Sequence, residues 1–463
     1  MMTASRLDNG ADTDHSDFMP ANDVRASIER ARTLADSWPR EAPARRTILM
    51  RRLAQLLIDG SEKLAQLMAS EIGKPVRFAR VEVERTAEML HAITTRSEAR
   101  PEEDPLRPAR VRRRAHGVVA VITPWNNPIY LTLGKIAPAV FYGNTVVWKP
   151  APETRLVAQC LLEYLSEAGW PDGLVTRLTG GRREALDLIN NPAVAAVTLT
   201  GSLAAGDDAH QICARRRVPF QAELGGNNAS IIWPDANLRM AARSVSAGAF
   251  EMAGQRCTAN RRVIVLQSCR ERFLSMLIEE TRALRWGDPS CDDTQIGPLV
   301  SALHCERVAG TVKRAVADAG TTRGLRPHGR VHPERAEHAG NWYPPTIIVC
   351  EDPLAEIVQE ETFGPVLVLQ SARDWDDAIG LCNGVRQGLA AAVFSESRSV
   401  VDRFLDEAEA GILKVNQSTA DAAVDLPFGG WKASGLGPPE HGAFDLEFYT
   451  RPQTVYDTLS VAI

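Results

Sequence analysis

Paired cysteines are missing from this chain. Its eight cysteines, at positions 160, 213, 257, 269, 291, 305, 350 and 382, contain no C-x-x-C spacing. Cysteines so scattered fit neither a disulfide framework nor a structural zinc site, and they point to a reducing, cytoplasmic compartment. The nine histidines form no H-E-x-x-H, so no metal is expected. No Gly-x-x-x-x-Gly-Lys-Ser/Thr loop occurs, which excludes a P-loop nucleotidase. The lone G-x-G, Gly435-Leu436-Gly437, lies outside any strand–helix context, so the common dinucleotide fingerprint is missing as well. Charge of one sign is scarce too. The 53 basic and 58 acidic residues leave a net charge of −5, and no nucleic-acid partner is expected. No window approaches the ~18 apolar residues of a membrane span. The opening Met1-Met2-Thr3-Ala4-Ser5-Arg6 turns acidic without the apolar core of a secretory signal.

What is present is an ordinary globular composition, 44% hydrophobic and 24% charged over 463 residues, long enough for two or three domains. Residues 1–20 read as a polar tail. From Ala21 to about Arg96 the apolar spacing is helical, punctuated by Gly60, Gly73 and Pro75. Residues 97–110 read as an exposed connection. Short apolar runs then alternate with amphipathic segments: Val118–Ile122, Tyr130–Phe141, Thr145–Trp148, Arg155–Ala168, Val175–Leu178, Arg183–Ile189, Val194–Thr200 and Leu203–Arg215. A second alternating set follows Gly254. This rhythm predicts βαβ units and an α/β fold with parallel sheets, divided near Gly225-Gly226. Phe448-Tyr449 and Thr454-Val455-Tyr456 read as strand.

Three residues have company that suits chemistry. Cys257 lies in Gly254-Gln255-Arg256-Cys257-Thr258. A thiol of pKa near 8.5 becomes a nucleophile as thiolate, and Arg256 and nearby backbone N–H groups are candidates for favouring that form. A free cysteine is more often a small buried hydrophobe, which is the reading for the other seven. Glu223, in Glu223-Leu224-Gly225-Gly226, ends a β-run where two glycines let the backbone approach a ligand, and its carboxylate is placed to act as a base. Asn126, in Thr123-Pro124-Trp125-Asn126-Asn127-Pro128, follows a strand, and its amide can donate to a developing oxyanion. Alone, either residue is also an ordinary strand-end or turn residue.

Taken in order, a larger set of segments resembles the aldehyde dehydrogenase superfamily from about Ala21 to about Val455. They are Pro124-Trp125-Asn126, Lys149-Pro150, Thr200-Gly201-Ser202, Glu223-Leu224-Gly225-Gly226, Gly254-Gln255-Arg256-Cys257, Glu361-Thr362-Phe363-Gly364-Pro365 and Pro427-Phe428-Gly429-Gly430-Trp431-Lys432-Ala433-Ser434-Gly435. The order of the whole set carries the likeness more than any one segment. The resemblance implies two doubly wound parallel-sheet domains. A Rossmann-like cofactor domain covers 1–96 and 116–225, and a catalytic domain covers 226–443. A small β oligomerisation element at 97–115 and 444–463 would build a homodimer or homotetramer. It implies Cys257 as nucleophile, Glu223 as general base, and Asn126 with the Cys257 N–H as oxyanion hole. NAD, with NADP as the alternative, would be held by Thr123, Trp125, Lys149, Gly201, Ser202, Leu224, Glu361 and Phe363, with Ser202 at a helix N-terminus suited to the pyrophosphate. An aldehyde would be oxidised to its acid through a cysteine thiohemiacetal and thioester.

Four departures sharpen this. Pro152, followed by Glu153, stands where many NAD-preferring relatives carry a ribose-gripping Glu; with no Arg or Lys at that position, NAD is expected over NADP. Asn127 replaces a common tunnel aromatic, either making the pocket more polar or shaping the turn. Ala422-Ala423 are small in a loop that often presents bulk. Arg256 resembles relatives acting on semialdehydes that carry a carboxylate; it either anchors that carboxylate or packs outward and tunes the site. Two other functions compete: a CoA-acylating relative, which Glu223 disfavours, and a catalytically silent binding protein on the same fold, which Cys257, Glu223 and Asn126 disfavour.

Overall fold

The computed structural model describes residues 23–95, 109–319, 322–324 and 341–456. The predicted tail at 1–20 and most of the 97–110 connection lie outside these residues. Two α/β sheets organise the chain. The first has the spatial order Gly435–Leu436, Phe220–Glu223, Val194–Thr200, Val118–Thr123, Thr145–Pro150, Val175–Arg177. Its last five strands are mutually parallel. Chain order reverses beside Val118–Thr123, the kind of switch point at which open α/β sheets open a crevice beyond their carboxyl ends.

Alternation along those strands explains the layering. Val119, Val121, Val146 and Trp148 enter one core, shared with the helices Pro43–Asp59, Ser61–Ile72, Val76–Thr95 and Tyr130–Phe141. Val118, Ala120 and Val147 enter the opposite core, shared with Val24–Ala35, Arg182–Asn190 and Leu203–Arg216. Successive side chains of a strand face opposite ways, so strands apolar on both faces need helices on both.

The second sheet runs Ile412–Val415, Ala390–Phe394, Ala229–Ile232, Arg262–Leu266, Val366–Ala372, Thr346–Val349, Thr322–Gly324. All neighbours are parallel except the last pair. Its core holds Ile231, Val263, Ile264, Leu367, Val393 and Phe404, all fully buried. The short strand Gly435–Leu436 comes from the second half of the chain and pairs antiparallel with Phe220–Glu223 in the first sheet. The two sheets are thereby joined beside Glu223.

Most predicted elements fall within two residues of their observed bounds. Phe448-Tyr449 does not. Both rings are buried, at 4% and 1% exposure, and they close the helix Phe444–Tyr449. A half-exposed strand cannot bury two successive side chains on one side. The strand starts at Thr450 and runs to Tyr456, pairing antiparallel with Ala109–Ala115. Among the described residues no helix is long and apolar enough to cross a membrane.

Candidate active site

A cavity of about 940 Å³ opens beyond the carboxyl ends of the first sheet, within the size range of small-molecule sites. Trp125 and Asn126 reach it from the loop after Val118–Thr123. Gly201 and Ser202 reach it from the loop after Val194–Thr200, and Leu224 and Gly225 from the loop after Phe220–Glu223. From the second half come Cys257, Glu361 and Phe363. The fold thus gathers at one cavity residues that are far apart in sequence.

Local structure fixes each of them. Ser202 caps the helix Leu203–Arg216, its hydroxyl accepting from Ala205 N, and the N-terminal N–H groups there suit an anionic group. Phe363 has φ of 50°, a left-handed backbone that costs a non-glycine residue energy. It is held by the Trp125 ring at 5.6 Å, by the Arg261 guanidinium 5.5 Å from its centroid, and by the His304 ring nitrogen 2.8 Å from its carbonyl. Before Cys257, Met252 and Ala253 are also left-handed, and Gly254 has φ of 67°. That tight turn carries the cysteine to the cavity wall.

The carboxylates around the thiol matter most for its chemistry. Burial, then Glu361, then Glu223 push the Cys257 thiol up to about 12. The backbone N–H groups of Thr258 and Cys257 pull the other way. Arg256 does not favour the thiolate as the sequence led us to expect. Its Nη2 donates to the Ala247 carbonyl at 3.1 Å and lies 4.0 Å from Glu251, so the cation is turned to interior acceptors. Glu361 is itself raised to about 7 by burial, partly offset by Arg261 and the Gly226 N–H. Glu223 is 4% exposed. Its carboxyl is held well above the usual range by burial and by Glu440, against Lys135 and the Gly430 N–H, which it accepts at 3.1 Å.

Several predicted residues take positions set by other contacts. The Asn126 amide donates to the Gln255 carbonyl at 3.1 Å, two residues before the cysteine. The Asn127 carbonyl accepts from Lys74 at 2.6 Å, so its side chain is held by the protein. Thr123 is buried, its hydroxyl accepting from the Trp148 indole at 2.8 Å, and is not among the lining residues. Lys149 is buried beside the lining, its ammonium pKa lowered by burial and supported by Glu153 and Glu184. Glu153 and Arg155 do line the cavity.

Sequence reading missed four groups here. Lys74 and Glu82 form a buried ion pair, and Glu82 also accepts the N–H groups of Ile129 and Tyr130 at 2.8 and 2.9 Å. Lys135 pairs with Glu440, 305 positions away. The Lys74 pair had one faint signal, a lysine locked between Gly73 and Pro75. The Lys135 pair had none.

A dinucleotide fits what is present. The cavity has a capped helix N-terminus on one wall, aromatic rings on another, and a half-buried carboxylate, Glu361, which a side chain at Gly225 would overlap. A parallel sheet opening on such a cavity, with a cysteine in its wall, defines a nucleotide-dependent oxidoreductase that works through a thiol. The profile of the aldehyde dehydrogenase family matches residues 11–455, and the chain belongs to that family. It is 33% identical to the alpha-ketoglutarate semialdehyde dehydrogenase of Haloferax volcanii, over 94% of this chain and 91% of that one. It is 33% identical to a betaine aldehyde dehydrogenase of Vibrio vulnificus, over 93% and 88%. The NAD-dependent aldehyde dehydrogenase from Sinorhizobium meliloti superposes with a TM-score of 0.88 at 31% identity, covering 95% of this chain and 88% of that one. The protein is an NAD(P)-dependent aldehyde oxidoreductase.

Proposed function

We propose that this enzyme oxidises an aldehyde with a polar or anionic far end to the acid, through a covalent thioester on Cys257, with NAD preferred to NADP. The observation that carries the mechanism is Cys257 in the cavity wall beside two carboxylates, Glu223 buried and Glu361 half-buried, with the Asn126 amide held one peptide away. Trp125, Gly201, Ser202, Leu224, Glu361 and Phe363 hold the dinucleotide, and Lys149 supports its adenosine end from beside Glu153. Thr123 backs this wall through its bond to Trp148. The dinucleotide, when bound there, would supply the hydride acceptor for the oxidation.

The remaining steps belong to the chain. Burial makes the Glu223 carboxylate a stronger base, closer to neutral pH, while the Cys257 thiol gives up its proton to bulk water. The thiolate adds to the aldehyde carbon. The Asn126 amide and the Cys257 N–H receive the oxyanion of the thiohemiacetal. After oxidation, Glu223 deprotonates a water that attacks the thioester and frees the acid and the thiol. Asn127, held by Lys74, shapes the pocket behind Asn126.

The semialdehyde named in the Haloferax relative supports a polar or anionic substrate. For cofactor choice, Glu153 at the cavity wall disfavours a 2′-phosphate, against Arg155 two residues on, which lines the same wall. The scattered cysteines, none joined in a disulfide among the described residues, support a cytoplasmic location. The ribbon of Ala109–Ala115 and Thr450–Tyr456 supports a homodimer or homotetramer, the first sheet the cofactor domain, and the second sheet the catalytic domain. The test is NADH release with Glu223→Gln, with and without coenzyme A. A burst of one NADH per site followed by slow turnover supports the water-activating role. Unchanged steady turnover in water removes it, and faster wild-type turnover with coenzyme A would make the enzyme acylating.

A further inference from the structure

Cys257 is bordered on a second side by residues that do not line the dinucleotide cavity. Thr258, the next residue, donates to the Ala420 carbonyl at 2.6 Å, and Thr419 donates to the Thr258 carbonyl at 2.7 Å. The loop is thereby stitched to the nucleophile's neighbour. Two residues on, the Ala422 carbonyl accepts from Arg85 of the helix Val76–Thr95. The Arg85 guanidinium lies 5.7 Å from the Tyr130 ring centroid. Tyr130, four residues after Asn126, begins the helix Tyr130–Phe141, and its N–H is fixed by Glu82, three residues before Arg85. These contacts close a ring through Cys257–Thr258, Ala420–Ala422, Arg85, Tyr130 and Asn126.

We infer that Arg85 is the specificity-determining residue that reads a carboxylate at the far end of the substrate, an assignment that rests on the polar or anionic aldehyde proposed above. Four cations stand near this ring, of which Arg261 is buried and gives its donors to the carbonyls of Gly364, Gly254 and Arg256. Lys74 is buried, and its three donors serve Glu82, the Asn126 carbonyl and Asn127. Arg256 has a side chain only 11% exposed and is turned to Ala247 and Glu251. Arg85 is half-buried, and of the five N–H donors of a guanidinium it gives one to the Ala422 carbonyl. The rest form the planar fork that matches a carboxylate bidentately. Ala422 and Ala423 place no bulk in front of it, so this pair of small residues leaves the cation within reach. None of the described carboxylates is paired with Arg85, which leaves that position to a ligand.

The test compares glutarate semialdehyde with pentanal, equal in length, on wild type, Arg85→Ala and Arg85→Lys. The quantity read is the ratio of kcat/KM for the acid to that for the neutral aldehyde. Taken on one preparation, this ratio is independent of the fraction folded. The expected result is a wild-type ratio well above one that falls at least tenfold in Arg85→Ala, through KM, and recovers in part in Arg85→Lys. A wild-type ratio near one or below overturns the proposed substrate class, and Arg85's role with it, before any variant is made. A high wild-type ratio kept within threefold by Arg85→Ala overturns the assignment of Arg85 alone.

Discussion

At the residue scale, the thiol and the carboxylates beside it are stored in their protonated direction. Glu361 is the larger of the two charges raising Cys257. Glu361→Gln removes that charge and keeps the shape, so the thiol should titrate at lower pH. The rate of iodoacetamide modification of Cys257 at pH 8 should rise roughly threefold or more, since thiolate abundance sets it. An unchanged pH–rate profile would show that Glu361 does not face the thiol. The same carboxyl affects stability. Its folded value of about 7 lies above the ordinary 4.5, so the folded state holds a proton the unfolded chain releases. That contribution is complete below 4.5 and is lost as pH rises through 7. Glu361→Gln should therefore lose less thermal stability between pH 5 and pH 8 than wild type, measured by melting at both. Asn126→Ala should lower kcat by about 10²–10³-fold, the scale of one oxyanion donor. A change within threefold would leave the oxyanion to backbone N–H groups alone.

At the scale of elements, the site is built where loops of the two sheets meet. The Gly226 N–H donates to Glu361 at 3.2 Å, and a Cβ at Gly225 would overlap the same carboxyl. Gly225→Ala should displace Glu361 and weaken dinucleotide binding at least tenfold while leaving the melting temperature near wild type. Fluorescence titration with NADH reads this directly, and unaltered affinity would detach Glu361 from cofactor binding. These glycines were legible in the sequence, as were the strands that carry Asn126, Ser202 and Glu223, because apolar rhythm and turn residues act locally. Direction was not legible. Arg256 adjoins the nucleophile in sequence, yet tertiary acceptors at Ala247 and Glu251 turn it inward. Arg256→Ala should then lower kcat/KM equally for charged and neutral aldehydes. The Lys135–Glu440 pair joins a helix to a loop far along the chain, and Gly435–Leu436 becomes a strand through an edge offered by another part of the chain. No local pattern encodes such partners.

At the scale of the whole molecule, the ribbon of Ala109–Ala115 and Thr450–Tyr456 is the element least explained by one copy. Its strands pair along their full length, but the sheet has only two strands, and such a sheet is marginal in water without a packed face. Between the strand ends almost every side chain is exposed. Val111 is 42% exposed and Tyr456 is 81% exposed. Strand edges left open in this way invite pairing with another chain. The burial missing from one copy is supplied if the ribbon lies against a second copy, which is the oligomer proposed above. Val111→Glu together with Tyr456→Glu places charge on that face without touching the cavity. Light scattering should find wild type at a multiple of the 50.6 kDa chain mass and the double variant shifted toward a single chain. A monomeric wild type would remove the oligomer itself. An unshifted variant would place its interface elsewhere on the surface, because two carboxylates taken out of water carry a desolvation cost that a seam at these positions would register.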